Sequence, residues 1–231
     1  MGNIEVNNPH FSLRGLSQAD IWNYENAFYW FRHPTRMAKL LAHFDLYKSI
    51  LNIPGDVIEL GVFKATSLIR FATFRACLES EFSRKITGFD TFGVFPRENI
   101  GQQEDIDFID DFEAEAGEGL SLEEVKEIFT KKSFQNIFLE SGNVFETLPA
   151  YLKRFPATRI AILHLDMDVK EPTSFALDLL FDRVVPGGLI VFDDYNTVAG
   201  ETEAVDEFLA SKGLRIEKVG LNYIPAFVRK S

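Results

Sequence analysis

A chain of 231 residues, 46% hydrophobic and 26% charged, has an ordinary globular composition and is long enough for one α/β domain with a sizeable core. Its formal charge of -11 disfavours general nucleic-acid binding, and no apolar run approaches the roughly 18–20 residues of a membrane span. Cys77 stands alone, so no internal disulfide can form; Met1 to Asn8 lack a secretory signal's basic and apolar regions, and Val6 stands where myristoylation of Gly2 wants Ser or Thr. These features fit a cytoplasmic protein.

From about Ala19 to Leu51 the pattern predicts helices. Apolar residues recur at helical spacing from Met37 to Phe44, and Pro34 opens that helix with Arg32 or His33 just outside. Asn52-Ile53-Pro54-Gly55 ends the region. Strands and helices then alternate. Val57–Leu60 reads as a strand, Thr66–Glu79 as a helix, Ile86–Phe89 as a second strand and Ile137–Leu139 as a third. A helix near Phe145–Arg154 leads to Ile160–Leu165, whose continuous apolar run marks a strand buried on both faces. Another helix spans about Pro172–Phe181, and Pro186-Gly187-Gly188 reads as a turn into the strand Leu189–Phe192. After a helix near Thr202–Ser211, Arg215–Val219 and Ile224–Val228 read as a terminal hairpin. This order implies a mostly parallel, seven-stranded sheet with helices on both faces and an antiparallel C-terminal hairpin. Ligands of such sheets bind beyond the carboxyl ends of the strands.

Between Glu104 and Glu127 there are eleven acidic residues and one basic residue, Lys126. A solvated loop and helix face explains this run, and a lid over the site is the sharper reading. The 23 Phe residues are numerous enough for some to line a pocket as well as the core.

The chemistry-bearing residues fall at predicted strand ends. After the first strand, Glu59-Leu60-Gly61 precedes Thr66 and Ser67. Gly61 permits a tight turn or close backbone approach, and Thr66 or Ser67 can cap a helix whose first amides face a ligand. Asp90-Thr91 ends the second strand, where an acid can accept hydrogen bonds from ribose hydroxyls. Ser141-Gly142 lies in a polar turn after the third, where an adenine edge can be read. Asp166-Met167-Asp168 and Asp193-Asp194 follow two later strands. If those strands are neighbours, Asp166, Asp193 and Asp194 converge and repel one another unless a cation or a proton compensates; for a cation, hard oxygen donors favour Mg²⁺, with Mn²⁺ also suitable.

Four stretches together resemble the macrocin O-methyltransferase family, a branch of the class I methyltransferases that use S-adenosylmethionine on sugar hydroxyls. They are Val57-Ile58-Glu59-Leu60-Gly61-Val62-Phe63-Lys64, Asp90 to Pro96, Leu165 to Asp168, and Pro186 to Tyr195. The resemblance implies a Rossmann-like class I methyltransferase fold. It implies that Glu59 and Gly61 flank the methionine part of the cofactor, that Asp90 holds its ribose, that Asp166, Asp193 and Asp194 bind the metal, and that Asp166 or Asp168 is the base. Ala65 departs from the family's usual glycine and crowds the cofactor loop. Catechol-type relatives place a lysine three residues after the first metal Asp; Val169 stands there, and Lys170 is one residue late.

The reading is one methyltransferase domain over 1–231, with a helical N-terminal cap over 1–54, a core over 55–231 and a candidate lid insertion over 97–130. Its function is metal-assisted methylation of a hydroxyl on a glycoside or nucleotide-linked sugar. The expected partner is a small-molecule acceptor, with neither nucleic acid nor membrane, and homo-oligomer formation is left open. The alternatives are a metal-dependent glycosyltransferase using Asp166 and Asp168 as its DxD, and a non-catalytic cofactor-binding scaffold. His33, just before a helix, is a further candidate base.

Overall fold

The computed structural model of the protein describes residues 11–231. The reading of Met1 to Asn8 falls outside them. A short hairpin, β1 (Ser12–Leu13) and β2 (Leu16–Ser17), leads through a 3-10 turn into α1 (Ile21–Phe31) and α2 (Pro34–Lys48). The core then runs β3 (Asp56–Leu60), α3 (Thr66–Leu78), β4 (Ile86–Asp90), α4 (Gln103–Ala116), α5 (Leu122–Lys131), β5 (Ile137–Ser141), α6 (Val144–Arg154), β6 (Ile160–Leu165), α7 (Lys170–Leu180), β7 (Val184–Phe192), α8 (Ala199–Lys212), β8 (Glu217–Lys218) and β9 (Ala226–Arg229).

The main sheet has seven strands in the order β5-β4-β3-β6-β7-β9-β8. The first five are parallel; β9 runs antiparallel to β7, and β8 antiparallel to β9. The strand order reverses direction beside β3, so the ends of β3, β4 and β6 open onto one crevice, as in other doubly wound sheets. Alternation along each strand builds two cores. Val57, Ile162, Leu189 and Val191 pack with Leu46, Phe71, Val125 and Phe129 of α2, α3 and α5. Ile58, Leu60, Leu163 and Ile190 pack with Leu148, Leu177, Leu180 and Val205 of α6, α7 and α8. Each such large side chain, fully buried, contributes about 1.5–3 kcal/mol relative to exposure.

The predicted elements are present, with differences at their ends. Pro186-Gly187-Gly188 is not a turn into the last parallel strand but part of it. Ile160 pairs Val184 whereas Ile162 pairs Leu189, so these residues form an irregularity in β7, with Gly187 at φ +82°. The terminal strands are shorter than their apolar patterns. α2 begins at Pro34 with His33 as its N-cap, the His33 Nδ1 accepting from the Thr35 amide. That task, on an exposed side chain away from the cavity wall, is where the structure places the candidate base His33. α1 has no buried residue; Trp22, Trp30 and Phe31 are all more than two-thirds exposed.

The acidic stretch contains α4 and α5. A capping box, Ser121 with Glu124, starts α5, and Arg14 of the β1–β2 turn bonds Glu124 at 2.8 Å. Buried Asp105 of α4 accepts the Lys170 amide at 2.8 Å and so caps α7, which has no side-chain cap of its own. Gly200 of α8 makes room, since a Cβ there would lie 2.3 Å from the Asp105 carboxylate. Among the described residues no helix is long and apolar enough to cross a membrane.

Candidate functional site

A cavity of about 520 Å³ opens at the carboxyl ends of the parallel strands. Its wall includes Gly61, Thr66, Ser67, Asp90, Thr91 and Gly142, together with Asp166, Asp168, Asp193 and Asp194. Glu59 and Ser141 are not on that wall: Glu59 is fully buried beneath it, and Ser141 ends β5 exposed. Of the many phenylalanines, Phe63, Phe89, Phe95, Phe108, Phe112 and Phe145 line the cavity; Phe108 and Phe112 come from α4, inside the acidic stretch.

The loop after β3 is strained and clamped. Gly61 has φ +91°, and a Cβ there would lie 1.8 Å from the Asp166 carbonyl oxygen. Phe63 and Ala65 also lie in the left-handed region, at φ 47° and 56°. Such a conformation costs a non-glycine residue about 1–2 kcal/mol. Asp90 holds the loop in place: its Oδ2 accepts the amides of Val62 at 2.7 Å and Phe63 at 2.9 Å, and its Oδ1 that of Phe92 at 2.6 Å. Neither Thr66 nor Ser67 caps α3. The N-cap is Ala65, with no side-chain bond, so the first amides of the helix are left for water or a ligand. Ser67 Oγ instead donates to Glu59 Oε1 at 2.8 Å.

A chain of polar groups runs from Glu59 under the cavity floor. Glu59 on β3 is paired in register with His164 on β6. His164 Nε2 donates to Asp193 Oδ1 at 3.3 Å, while its Nδ1 lies 3.6 Å from Glu59 Oε2, too long for a hydrogen bond. His43 Nε2 reaches the same Asp193 oxygen at 3.2 Å, and Lys39 Nζ lies 2.5 Å from Asp193 Oδ2. Burial alone would lower the His164 pKa, but Asp193 and Glu59 on either side lift it to about 9. Burial dominates at His43, pushing it down to about 4, so that imidazole is neutral. For Asp193, burial works upward, yet the bonds from His164 and His43 and the Lys39 charge hold it well below the usual carboxylate range.

The other acids behave oppositely. Burial first, and then the charges of Asp193 and Asp194, push Asp166 well above the usual range. Asp168 is raised by burial and by Asp194 and Asp193, and Asp194 by burial and Asp193. Asp166, Asp193 and Asp194 can each offer one oxygen, all within 4.8 Å of one another. Lys39 and His164 bracket Asp193, and none of the other three acids has a salt-bridge partner among the described residues. The residues therefore fit a divalent cation: hard oxygen donors, crowded and undercompensated.

Sequence reasoning missed Lys39, His43 and Arg36. They recur along one face of α2 at helical spacing and all line the cavity, a polar stripe visible once one asks which helix faces the strand ends. It also missed Glu201, a fully buried acid whose Oε1 accepts the Asp194 amide at 3.1 Å. Lys170 points away, to Glu203 at 2.7 Å and Glu207 at 2.8 Å on α8.

Comparison with known families adds a match over residues 34–230 to the macrocin O-methyltransferase (TylF) model. The chain belongs to the macrocin O-methyltransferase family. Among curated proteins it is 27% identical over 165 residues to an 8-demethyl-8-(2,3-dimethoxy-alpha-L-rhamnosyl)-tetracenomycin-C 4'-O-methyltransferase of Streptomyces olivaceus, covering 70% of this chain and 60% of that protein. It is also 27% identical, over 74% of this chain and 64% of the relative, to the demethyldecarbamoylnovobiocin O-methyltransferase of Streptomyces niveus. The chain thus spans less than two thirds of the length of these two relatives. Among solved structures, the calicheamicin methyltransferase CalS11 matches at TM-score 0.67 and 25% identity, over 90% of this chain and 85% of that one. The O-methyltransferase NovP matches at TM-score 0.72 and 23% identity, over 84% and 80%, and speaks for the fold alone. The seven-stranded sheet with its antiparallel hairpin is accordingly the Rossmann-like fold of class I methyltransferases.

Proposed function

We propose that this macrocin O-methyltransferase family member transfers the methyl group of S-adenosylmethionine to a hydroxyl of a small sugar-bearing acceptor, with a divalent cation held by Asp166, Asp193 and Asp194. The observation that carries this reading is the placement of the acid cluster and the Gly61–Asp90 loop on one cavity wall at the carboxyl ends of β3, β4, β6 and β7. Three relatives are named for O-methylation of tetracenomycin, novobiocin and mycinamicin compounds, and a solved neighbour, apo CalS11, is named as a TDP-rhamnose 3'-O-methyltransferase. These names support a sugar-type acceptor. A glycosyltransferase working through Asp166 and Asp168 gains nothing from the family match.

In this reading the open amides of α3 and the Gly61 loop receive the methionine end of the cofactor, and the Asp90-Thr91 turn faces its ribose. Gly142 stands where an adenine edge passes. Asp166, Asp193 and Asp194 would hold the cation, Mg²⁺ or Mn²⁺, whose charge would lower the acceptor hydroxyl's pKa and fix its direction. Asp166 or Asp168 takes the hydroxyl proton, the acceptor oxygen forms its bond to the methyl carbon as the sulfur–carbon bond breaks, and S-adenosylhomocysteine leaves. Holding both reactants in one small cavity contributes on the order of several kcal/mol, up to about 7–11, to lowering the barrier. The Glu59–His164 pair and Lys39 position Asp193 rather than touching a reactant. Residues 97–130, which place α4 along the cavity, serve as a lid, and the reaction is cytoplasmic.

The test is methyl transfer to a panel of glycosides and nucleotide-linked sugars, read by mass spectrometry with and without exhaustive chelation. Transfer that stops on chelation and returns with Mg²⁺ or Mn²⁺, while S-adenosylhomocysteine still binds the chelated protein, is the expected result. Undiminished transfer after chelation removes the cation from the reading and leaves acid–base chemistry at Asp166 or Asp168.

A further inference from the structure

Four cationic side chains line the cavity of this strongly acidic chain: Arg36, Lys39, Lys64 and Arg70. Two have evident partners. Lys39 is paired with Asp193, and Lys64 Nζ donates to the Ala116 carbonyl at 2.5 Å. Among the described residues, neither the Arg36 nor the Arg70 guanidinium has a hydrogen-bond acceptor or a carboxylate within reach. Arg14 meets Glu124, Arg97 meets Asp110 and Glu113, and Arg154 meets Glu140; Arg32 and Arg215 also lack such a partner among the described residues, but neither lines the cavity. Thirty-five acidic residues were available to neutralise Arg36 and Arg70. Instead, α2 brings Arg36 and α3 brings half-buried Arg70 to the same cavity.

The two guanidiniums disfavour each other. Burial, and then the proximity of Arg36 against the pull of Asp193, holds the Arg70 pKa below its ordinary value. A half-buried guanidinium with no acceptor, next to another, is stable only in a framework that fixes it, and it is ready for an anion. Arg36 and Arg70 line the same cavity as Asp166 and Asp193, the acids that receive the acceptor hydroxyl in the reading above. A guanidinium presents a fork of donors suited to phosphate oxygens, and two forks match the two negative charges of a diphosphate.

We propose that Arg36 and Arg70 form the anion-binding end of the acceptor subsite and that the acceptor is a sugar carrying a diphosphate, as in a nucleotide-linked sugar, rather than a neutral glycoside. This rests on the methyltransferase reading above and narrows its substrate class. The cofactor's carboxylate offers related chemistry, and the experiment separates the two.

Calorimetry is done on the whole chain, in chelator and without divalent ions, so that a diphosphate cannot bind through a metal. S-adenosylhomocysteine is titrated first. Uridine diphosphate, thymidine diphosphate and inorganic pyrophosphate are then titrated into the saturated protein. At least one diphosphate should bind, and its Kd should rise about tenfold or more in Arg36→Gln and in Arg70→Gln, as expected for loss of a charge-assisted contact. The Kd of S-adenosylhomocysteine should stay within about twofold, the scatter expected of distant sites. Arg36 is exposed and without a partner, so its variant also serves as the one least exposed to a folding defect. A wild-type protein that binds S-adenosylhomocysteine but none of the three probes overturns the inference, as do variants that bind diphosphate as well as wild type. Variants that lose S-adenosylhomocysteine instead overturn it in favour of the cofactor's carboxylate. Wild-type protein that fails to bind S-adenosylhomocysteine overturns the methyltransferase reading itself, and this assignment with it.

Discussion

Replacing Asp90 with alanine separates two tasks that one carboxylate can perform. In the structure Asp90 clamps its own loop, accepting the amides of Val62, Phe63 and Phe92 at 2.7, 2.9 and 2.6 Å. The site is half-buried, so water replaces part of what is lost, and each orphaned amide costs about 1 kcal/mol. The left-handed residues Phe63 and Ala65 can then relax, which returns some of that cost and loosens the loop. A net loss of about 2–3 kcal/mol follows from these contributions. At about 2–4 °C per kcal/mol for a chain of this size, Asp90→Ala should melt about 4–12 °C below the parent. Its affinity for S-adenosylhomocysteine should fall about tenfold or more, from the loosened loop and the lost ribose acceptor together. Asp90→Asn retains one carbonyl oxygen for Val62 and Phe63 but turns an NH₂ group towards the Phe92 amide, and should fall between the two. Thermal melts and calorimetry read both quantities. A variant that melts within about 2 °C of the parent refutes the clamp. Unchanged affinity for S-adenosylhomocysteine refutes a role in binding the cofactor.

Asp105→Ala removes the acceptor of the Lys170 amide and should cost about 1–2 kcal/mol, as other lost helix caps do, with faster amide exchange in α4 as its local signature; unchanged exchange there means that α4 is held by its apolar face alone. If 97–130 acts as a lid, hydrogen exchange in α4 should slow when cofactor and acceptor are both bound, and equal rates in free and bound protein favour a plain solvated surface. Glu79→Ala leaves the Arg84 guanidinium, 6% exposed, without its carboxylate at 2.9 Å, and should destabilise the chain by about 3–5 kcal/mol, read by urea unfolding. A loss below about 1 kcal/mol would show that the carbonyls of Ile50, Ile53 and Gly55 suffice for Arg84.

The sheet was legible because its strands are short apolar runs set off by helices, although their order in the sheet, β5-β4-β3-β6-β7-β9-β8, is not their order along the chain. The acids were legible for the same reason: Asp166-Met167-Asp168 and Asp193-Asp194 follow two runs that become the neighbours β6 and β7. Less of what surrounds them could be read. Lys39 and His43 reach Asp193 from about 150 residues away, and nothing local marks a polar residue on a helix as facing inward. Asp105 sits in an acidic run and looks like surface charge; only the fold shows one member of that run turned inward to cap α7. Thr66 and Ser67 were read as caps because hydroxyls often are, whereas buried Glu59 claims the Ser67 hydroxyl. Pro186-Gly187-Gly188 carries the composition of a turn but is absorbed as an irregularity within β7.

The close approach of Gly61 to the Asp166 carbonyl has a consequence for how such a site can change over time. A glycine at the end of the first strand of a nucleotide-binding sheet is ordinarily explained by the ligand that needs the room. Here the backbone of a neighbouring strand occupies that room first, and the Asp166 amide bonds back to the Leu60 carbonyl at 2.9 Å. The stretch that would receive the methyl donor and the stretch that would activate the acceptor are therefore one rigid joint. A lineage drifting towards a new acceptor cannot shift Asp166 without also shifting the Gly61 turn, so variation in substrate choice should collect on α2, α4 and the mouth of the cavity and leave this joint alone.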